Sequence, residues 1–203
     1  MAGRSDPAMA DQEGQGAGRL PDGLIAALAE SMRDVETLRT DRFTLRPLRR
    51  EDTAALYPTF ANEVQCLYLS RQAFTSEEEL WGWLAEPDWN GRTWIAEDAE
   101  GRVAGRFVAV PAHEDGIEEI GYVTCMDRQG GGVARECTAA LVDHLFASGL
   151  RKLTAEVDTE NTPSIRLLER LGFTREALFR EHETTHAGLR DVAVYGLLAS
   201  ERA

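Results

Sequence analysis

Gln129-Gly130-Gly131-Gly132-Val133-Ala134 stands between a strand-like run, Ile120-Gly121-Tyr122-Val123-Thr124-Cys125, and a helix-like run from Ala134 to Ser148. Three glycines at a strand-to-helix corner leave consecutive backbone N–H groups uncovered, and the helix beyond adds the positive end of its dipole. Such a corner suits phosphate oxygens, although a glycine run also suits a plain flexible turn. No GxxxxGK[ST] string occurs, and Gly130-x-Gly132 lacks the third glycine and the first-strand position of a dinucleotide fingerprint. A second element decides between these readings.

That element is Asn161-Thr162-Pro163-Ser164, continuing through Leu168 to Gly172-Phe173, and it follows another strand-like run, Lys152 to Val157. Together the two stretches resemble the acetyl-coenzyme A site of the GNAT N-acetyltransferase superfamily. Its pattern is Q/R-x-x-G-x-G/A, then, one helix and one strand later, Asn, a short helix and Gly-Phe. Gln129, Gly132 and Ala134 fill the first pattern. The run N-x-x-S-x-x-x-L-x-x-x-G-F and the ending Gly188-Leu189-Arg190-Asp191-Val192-Ala193-Val194-Tyr195 are similar to the branch that includes RimJ and RimL. The resemblance spans about Thr40 to Ser200.

Size and composition agree with one such domain. The 203 residues are 43% apolar, enough for a single sizeable core. A net charge of −13 argues against nucleic acid, which demands clustered Lys and Arg. Acidic surface suits cationic partners such as amines, and it also serves solubility. Cys66, Cys125 and Cys137 fit neither a disulfide framework nor a zinc site, and they imply a reducing, cytoplasmic setting. His182 and His186 have HxxxH spacing but no obvious third ligand, so no metal is expected. No apolar run approaches the ~20 residues of a membrane span, and the opening residues lack the apolar core of a secretory signal.

Along the chain, residues 1–20 read as a disordered tail and 21–40 as an amphipathic helix carrying Leu24, Leu28, Met32 and Val35. Residues 41–200 then form the domain. Arg42 to Leu48 alternates as a strand, a helix begins near Arg50, and Ser76 to Glu79 is a capping box launching a helix with Leu80, Trp81, Trp83 and Leu84. Thr93–Glu97 and Val103–Val110 form a hairpin, Ile117–Cys125 is a fourth strand, and Val133–Ala147 is the long helix. Lys152–Val157 is a fifth strand and Ser164–Leu171 a short helix; Phe173–Glu183 and Arg190–Leu198 close the sheet. The fold class is α/β (α+β), a mixed sheet with helices on both faces. The resemblance implies a mostly antiparallel sheet of six or seven strands whose central pair splays apart.

In the GNAT family the pantetheine arm of acetyl-CoA inserts into that splay, and an amine attacks the thioester directly. The resemblance therefore implies that backbone groups of Val123 and Cys125 bind the pantetheine amides, and that Gln129, Gly130, Gly131, Gly132, Val133 and Ala134 hold the pyrophosphate. The chain departs from its branch at Gln129, where an aromatic residue is common, and at Gly131, where a Lys or Arg is common. That second departure removes a cation and implies a looser loop. By family position Asn161 binds the coenzyme at the reacting end and Ser164 donates to the departing thiolate, while Leu168 stands where many members carry a Tyr acid. Asn161 and Ser164 are equally good helix caps.

Glu119, ten residues before Gln129, occupies a spacing at which the family often carries a Glu base. Alternation puts Glu118 on the opposite face, so only one of the pair points into the cleft. His182, Glu183 and Tyr195 belong to the hairpin that flanks the acceptor pocket in the family, and Tyr195 and the four tryptophans read equally well as core. The implied function is acetyl transfer from acetyl-CoA to a primary amine, of a small molecule or a protein N-terminus, by a monomer or homodimer. Transfer of another acyl group, or acyl-CoA binding without turnover, are the alternatives.

Overall fold

The computed structural model describes residues 35–202. Strands β1 (Leu38–Arg39) and β2 (Phe43–Pro47) precede helices α1 (Asp52–Phe60) and α2 (Glu77–Leu84). Strands β3 (Arg92–Asp98), β4 (Val103–Pro111) and β5 (Ile117–Thr124) lead through a short 3₁₀ turn at Met126–Arg128 into α3 (Val133–Ala147). Then come β6 (Lys152–Asp158), α4 (Thr162–Arg170), β7 (Thr174–Thr185) and β8 (Gly188–Leu198). One eight-stranded sheet orders them β1-β2-β3-β4-β5-β6-β8-β7. Every pair is antiparallel except β5 with β6.

The sheet carries one strand more than the six or seven anticipated, because Leu38 and Arg39 pair with Leu45 and Thr44. This corrects the C-terminal end of the helix expected over 21–40. Val35 to Thr37 have no regular structure and Leu38–Arg39 is extended, so Val35 reaches the core from the irregular stretch and Leu38 from an edge strand. The rest of that helix, and the tail of residues 1–20, lie outside the described residues. The ordered fold thus starts ahead of residue 41.

Alternation along the strands divides the interior into two layers. Trp94, Phe107 and Ile120 face α3 and α4, where Leu141, Leu145, Leu168 and Phe173 complete the larger core. Ile95 and the half-buried Val123 face α1 and α2, packing with Leu56, Phe60, Leu80 and Leu84. Buried residues of α3 recur at Val133, Cys137, Leu141 and Leu145, one stripe of a helix. At the start of α2, Ser76 Oγ accepts from the Glu79 N–H at 3.1 Å. The Glu79 carboxylate accepts from Thr75 N–H and Oγ1, each at 2.8 Å, which shifts the reciprocal half of the cap by one residue.

Candidate active site

The central parallel pair opens after a short contact. Only Ile117, Glu118 and Glu119 of β5 pair with β6, opposite Lys152, Leu153 and Thr154. Beyond them β5 stays with β4 as far as Thr124, while β6 stays with β8 as far as Asp158. Each strand follows its outer neighbour, and the sheet splits between them.

The Cys125 N–H donates to Ala104 O at 2.9 Å, on the β4 side. Because backbone groups alternate along a strand, those of Val123 also face β4, and those of Tyr122 and Thr124 face the split. Thr154 Oγ1 donates to Glu118 O at 3.4 Å from the β6 side, which fixes the same parity. The backbone groups of Val123 and Cys125, expected to line the split, are thus turned to β4, and the edge groups on the split belong to Tyr122 and Thr124. An unpaired strand edge of this kind accepts an added strand-like chain through its amides.

At the end of β5 the glycine corner turns into α3. Gly130 and Gly132 have φ of +78° and +79°, a region that L side chains seldom adopt, whereas Gly131 does not. Gly132 caps α3 without a side-chain bond. The Glu136 N–H makes the first helical bond, to Gly132 O at 3.1 Å, so the amides from Gly132 to Arg135 have no intrahelical acceptor. Gln129 Nε2 donates to Gln65 Oε1 at 2.6 Å and to Thr124 O at 3.4 Å, tethering the loop.

Arg42 reaches this corner from the turn before β2. Its Nη1 donates to Gly131 O at 2.9 Å, and its Nε to Glu136 Oε2 at 2.7 Å. The loop is thus pinned rather than loose. A half-exposed guanidinium also stands beside the amides, supplying a cation that Gly131 cannot.

Two sets of reactive groups flank the split on opposite faces. Tyr122 packs against the α3 and α4 layer, and its hydroxyl lies 2.7 Å from Ser164 Oγ. Burial pushes the Tyr122 phenol up to about 12 against the opposing effect of that bond, so it stays a neutral hydroxyl. Asn161 Oδ1 accepts from the Ser164 N–H at 3.2 Å, which is the helix-capping role. Leu168 is buried at 1% exposure and belongs to the core.

On the other face stand Glu119 and, beyond the last β5–β6 pair, Glu156. Glu119 is an exposed residue whose carboxyl is nonetheless crowded by neighbouring protein on one side. Burial, with the Glu156 charge adding to it, pushes its carboxyl from 4.5 up to about 7. Glu118 points the opposite way and is paired with Arg92. Of the two neighbours, Glu118 is thus held in an ion pair on one face and Glu119 stands on the other.

The α1 and α2 face also holds a cavity of about 310 Å³ walled by Leu48, Trp81, Leu84, Trp89 and Thr93. Trp94 is fully buried core, and Trp83 packs with Phe60 and Phe74. Tyr195 is core, at 4% exposure. His182 stacks on Phe179, and Glu183 lines a small recess with Glu156 and Tyr68. All three cysteines are free and buried.

Tyr122, Glu156 and Arg42 escaped the sequence reading. The first two share faces with Ser164 and Glu119 only after the register is known; Arg42 is brought in from a turn far away along the chain. Period-two alternation from Ile120, which puts Tyr122 on the face opposite Glu119, was the one signal available for it.

The sequence pattern of the Acetyltransferase (GNAT) domain family matches residues 42–174. A Bacillus licheniformis protein named Uncharacterized N-acetyltransferase p20 is 31% identical over 177 residues, covering 83% of this chain and 99% of its own. Among solved structures, a GNAT-family acetyltransferase from Bacillus anthracis superposes with a TM-score of 0.76 at 22% identity, over 82% of this chain and all of its own. Mycobacterium smegmatis RimJ, solved with CoA-disulfide, superposes with a TM-score of 0.69 at 25% identity, over 82% of this chain and 88% of its own.

Proposed function

This chain belongs to the GNAT acetyltransferase family, and from that membership we propose that it transfers an acetyl group from acetyl-CoA to a primary amine by direct attack. The observation that carries the reading is the β5–β6 split, with uncovered amides at one end and Glu119 and the Tyr122–Ser164 pair on its two faces. Acetyl-CoA enters with its diphosphate on the amides from Gly130 to Ala134, beside Arg42 and Gln129. Its pantetheine arm lies against the free groups of Tyr122 and Thr124. Asn161 fixes the start of α4, and with it Ser164, at the reacting end.

The acceptor approaches from the α1 and α2 face as an ammonium. Glu119, titrating near 7, takes one proton, a transfer close to balanced for an α-amine whose pKa is near 8. The amine nitrogen then forms a bond to the thioester carbon, and the C–S bond breaks from the tetrahedral adduct. Ser164, backed by the Tyr122 hydroxyl, donates a proton to the leaving sulfur. The second amine proton, lost as the amide forms, restores the balance through solvent. No acyl-enzyme is needed, and the rate gain comes from positioning and from charge stabilisation in a dry gap.

The motif from Asn161 to Phe173 and the likeness to RimJ support a place in the RimJ and RimL branch. Buried free cysteines support a reducing, cytoplasmic setting. No helix among the described residues is long and apolar enough to cross a membrane. The test is thiol release from acetyl-CoA in the presence of a panel of primary amines. Amine-dependent release above hydrolysis is expected; coenzyme binding with no amine-dependent release contradicts the reading.

A further inference from the structure

The cavity on the α1 and α2 face is built largely by the segment that joins α2 to β3. Trp89 N–H donates to Glu86 O at 3.3 Å, closing a turn whose second position is Pro87, where the fixed φ of proline is suited. Glu86 and Asp88 flank that proline. Further on, buried Gly91 leaves room for the Trp89 indole, because an added Cβ would stand 2.3 Å from the ring atom Cζ2. The indole is thereby laid down as one wall of the space, with Leu48, Trp81 and Leu84 forming the others. At about 310 Å³ the cavity stands at the lower end of the roughly 300–1,000 Å³ of small-molecule sites.

Charge is arranged by depth in this space. Leu84 and Thr93, at 3% and 6% exposure, lie at its closed end, whereas Glu86 and Asp88 are exposed and lie at its mouth. Those two are the only ionisable side chains on the wall, and neither forms an ion pair among the described residues. Two cations stand outside the wall. Arg50 lies over the Trp81 ring at 5.3 Å and is held by Glu78; Arg106 lies 5.2 Å from the Trp89 ring centre, its Nη2 donating to Thr93 Oγ1 at 3.3 Å. The Arg106 charge behind the closed end repels a second cation there, and the two carboxylates attract one at the mouth. The cavity is separate from the transfer centre. Thr93 pairs with Val108, and Val108 with Gly121 two residues after Glu119, so β4, with Arg106 and the Trp83 ring against it, lies between them.

We propose that this cavity is a second ligand site, for a small organic cation with an apolar body: the body fills the space against Trp81, Leu84 and Trp89, and the cationic head stays at the mouth beside Glu86 and Asp88. Apolar burial supplies most of the affinity, and the two carboxylates supply the choice of charge. An anion of the same shape is repelled by them. The site does not depend on the transferase reading, since none of its residues takes part in the proposed acetyl transfer.

The test titrates the full chain by calorimetry with phenylpropyl-trimethylammonium, which has no N–H and cannot accept an acetyl group, and with phenylpropanol and phenylpropanoate. The ammonium is expected to bind about three- to ten-fold more tightly than the alcohol, the worth of two exposed charge contacts, and the carboxylate more weakly than either. Added salt should shrink that advantage. In the Glu86→Gln, Asp88→Asn double variant the ratio of ammonium to alcohol affinity should fall to about one, while the alcohol binds as it does to the parent. Both changes are on the surface, so the fold is kept. Glu119→Gln should leave the ratio as it is in the parent. Equal binding of ammonium and alcohol by the parent, or binding of none of the three, overturns the proposal. So does a preference that survives the double variant, or one that vanishes in Glu119→Gln, which would put the cation at the transfer centre instead.

Discussion

The Tyr122 hydroxyl lies 2.7 Å from Ser164 Oγ, joining strand β5 to helix α4 across the split in the sheet. In the proposed mechanism the pair is the neutral proton donor, the buried Leu168 having no proton to give. Tyr122→Phe is expected to lower kcat about a hundred-fold, with CoA affinity within about two-fold of the parent. Ser164→Ala should behave alike. If the hydroxyls act as one relay, as proposed, the double variant should lose little more than either single one. Steady-state kinetics with CoA titrations measure this, and full additivity would separate the two roles.

The proposed role of Glu119 as base predicts a pH profile. Its carboxyl titrates at about 7, so kcat/KM should rise through that pH and then level as the carboxylate forms. Glu119→Gln should flatten this limb, with its largest deficit above pH 7. Removing the neighbouring charge in Glu156→Gln should move the limb to lower pH. A limb unmoved by either change would take both residues out of the chemistry.

The same carboxyl has a signature in stability. Its folded pKa lies above the unfolded 4.5, so the folded state binds the proton more tightly, and stability is lost as pH rises from about 4.5 to about 7. Glu119→Gln lacks that loss and should gain in denaturation midpoint relative to the parent across this window. The gain is modest, since solvent reaches the group.

Much of this arrangement was legible beforehand, and the exceptions have physical causes. Lys152 to Val157 and Val133 to Ala147 show their periods plainly because each buries one face in a single core. The split was inferred from family likeness, since no local pattern encodes where two strands stop pairing. That the backbone groups of Val123 and Cys125 face β4 could not be read beforehand, because hydrogen-bond direction depends on the partner strand, here fixed by Cys125 N–H to Ala104 O. Leu38 read as helix because a short edge strand has too few residues to display alternation. Arg42 was invisible as a loop partner because tertiary folding alone brings it there.

That cation bears on coenzyme affinity. Arg42→Ala should weaken CoA binding, both by freeing the Gly131 carbonyl and by removing the charge. Gly131 has room for a side chain, its nearest contact for an added Cβ being Arg128 O at 3.6 Å. Gly131→Lys is accordingly expected to tighten CoA about two- to five-fold, the worth of one exposed charge contact. Gly132→Ala should do the reverse, since its φ is +79° and an added Cβ would meet Arg42 Nη2 at 3.3 Å. Calorimetric titration with CoA ranks the three, and an equal effect of alanine at Gly131 and Gly132 would contradict the loop geometry.

Arg46 and Asp52 form a two-bond pair at 2.9 and 2.7 Å, with Asp52 only 2% exposed. Asp52→Ala leaves the buried guanidinium with Glu97 as its remaining carboxylate. A loss of about 3–5 kcal/mol is expected in chemical denaturation. A change below about 1 kcal/mol would show that Glu97 compensates.

The split itself is tested most directly by a crystal structure of the full chain with CoA bound. The account predicts the diphosphate on the amides between Gly130 and Ala134, the pantetheine amides bonded to Tyr122 and Thr124, and the sulfur within hydrogen-bond reach of Ser164 Oγ. Coenzyme bound elsewhere, or β5 and β6 paired past Glu119 along their remaining length, would contradict it.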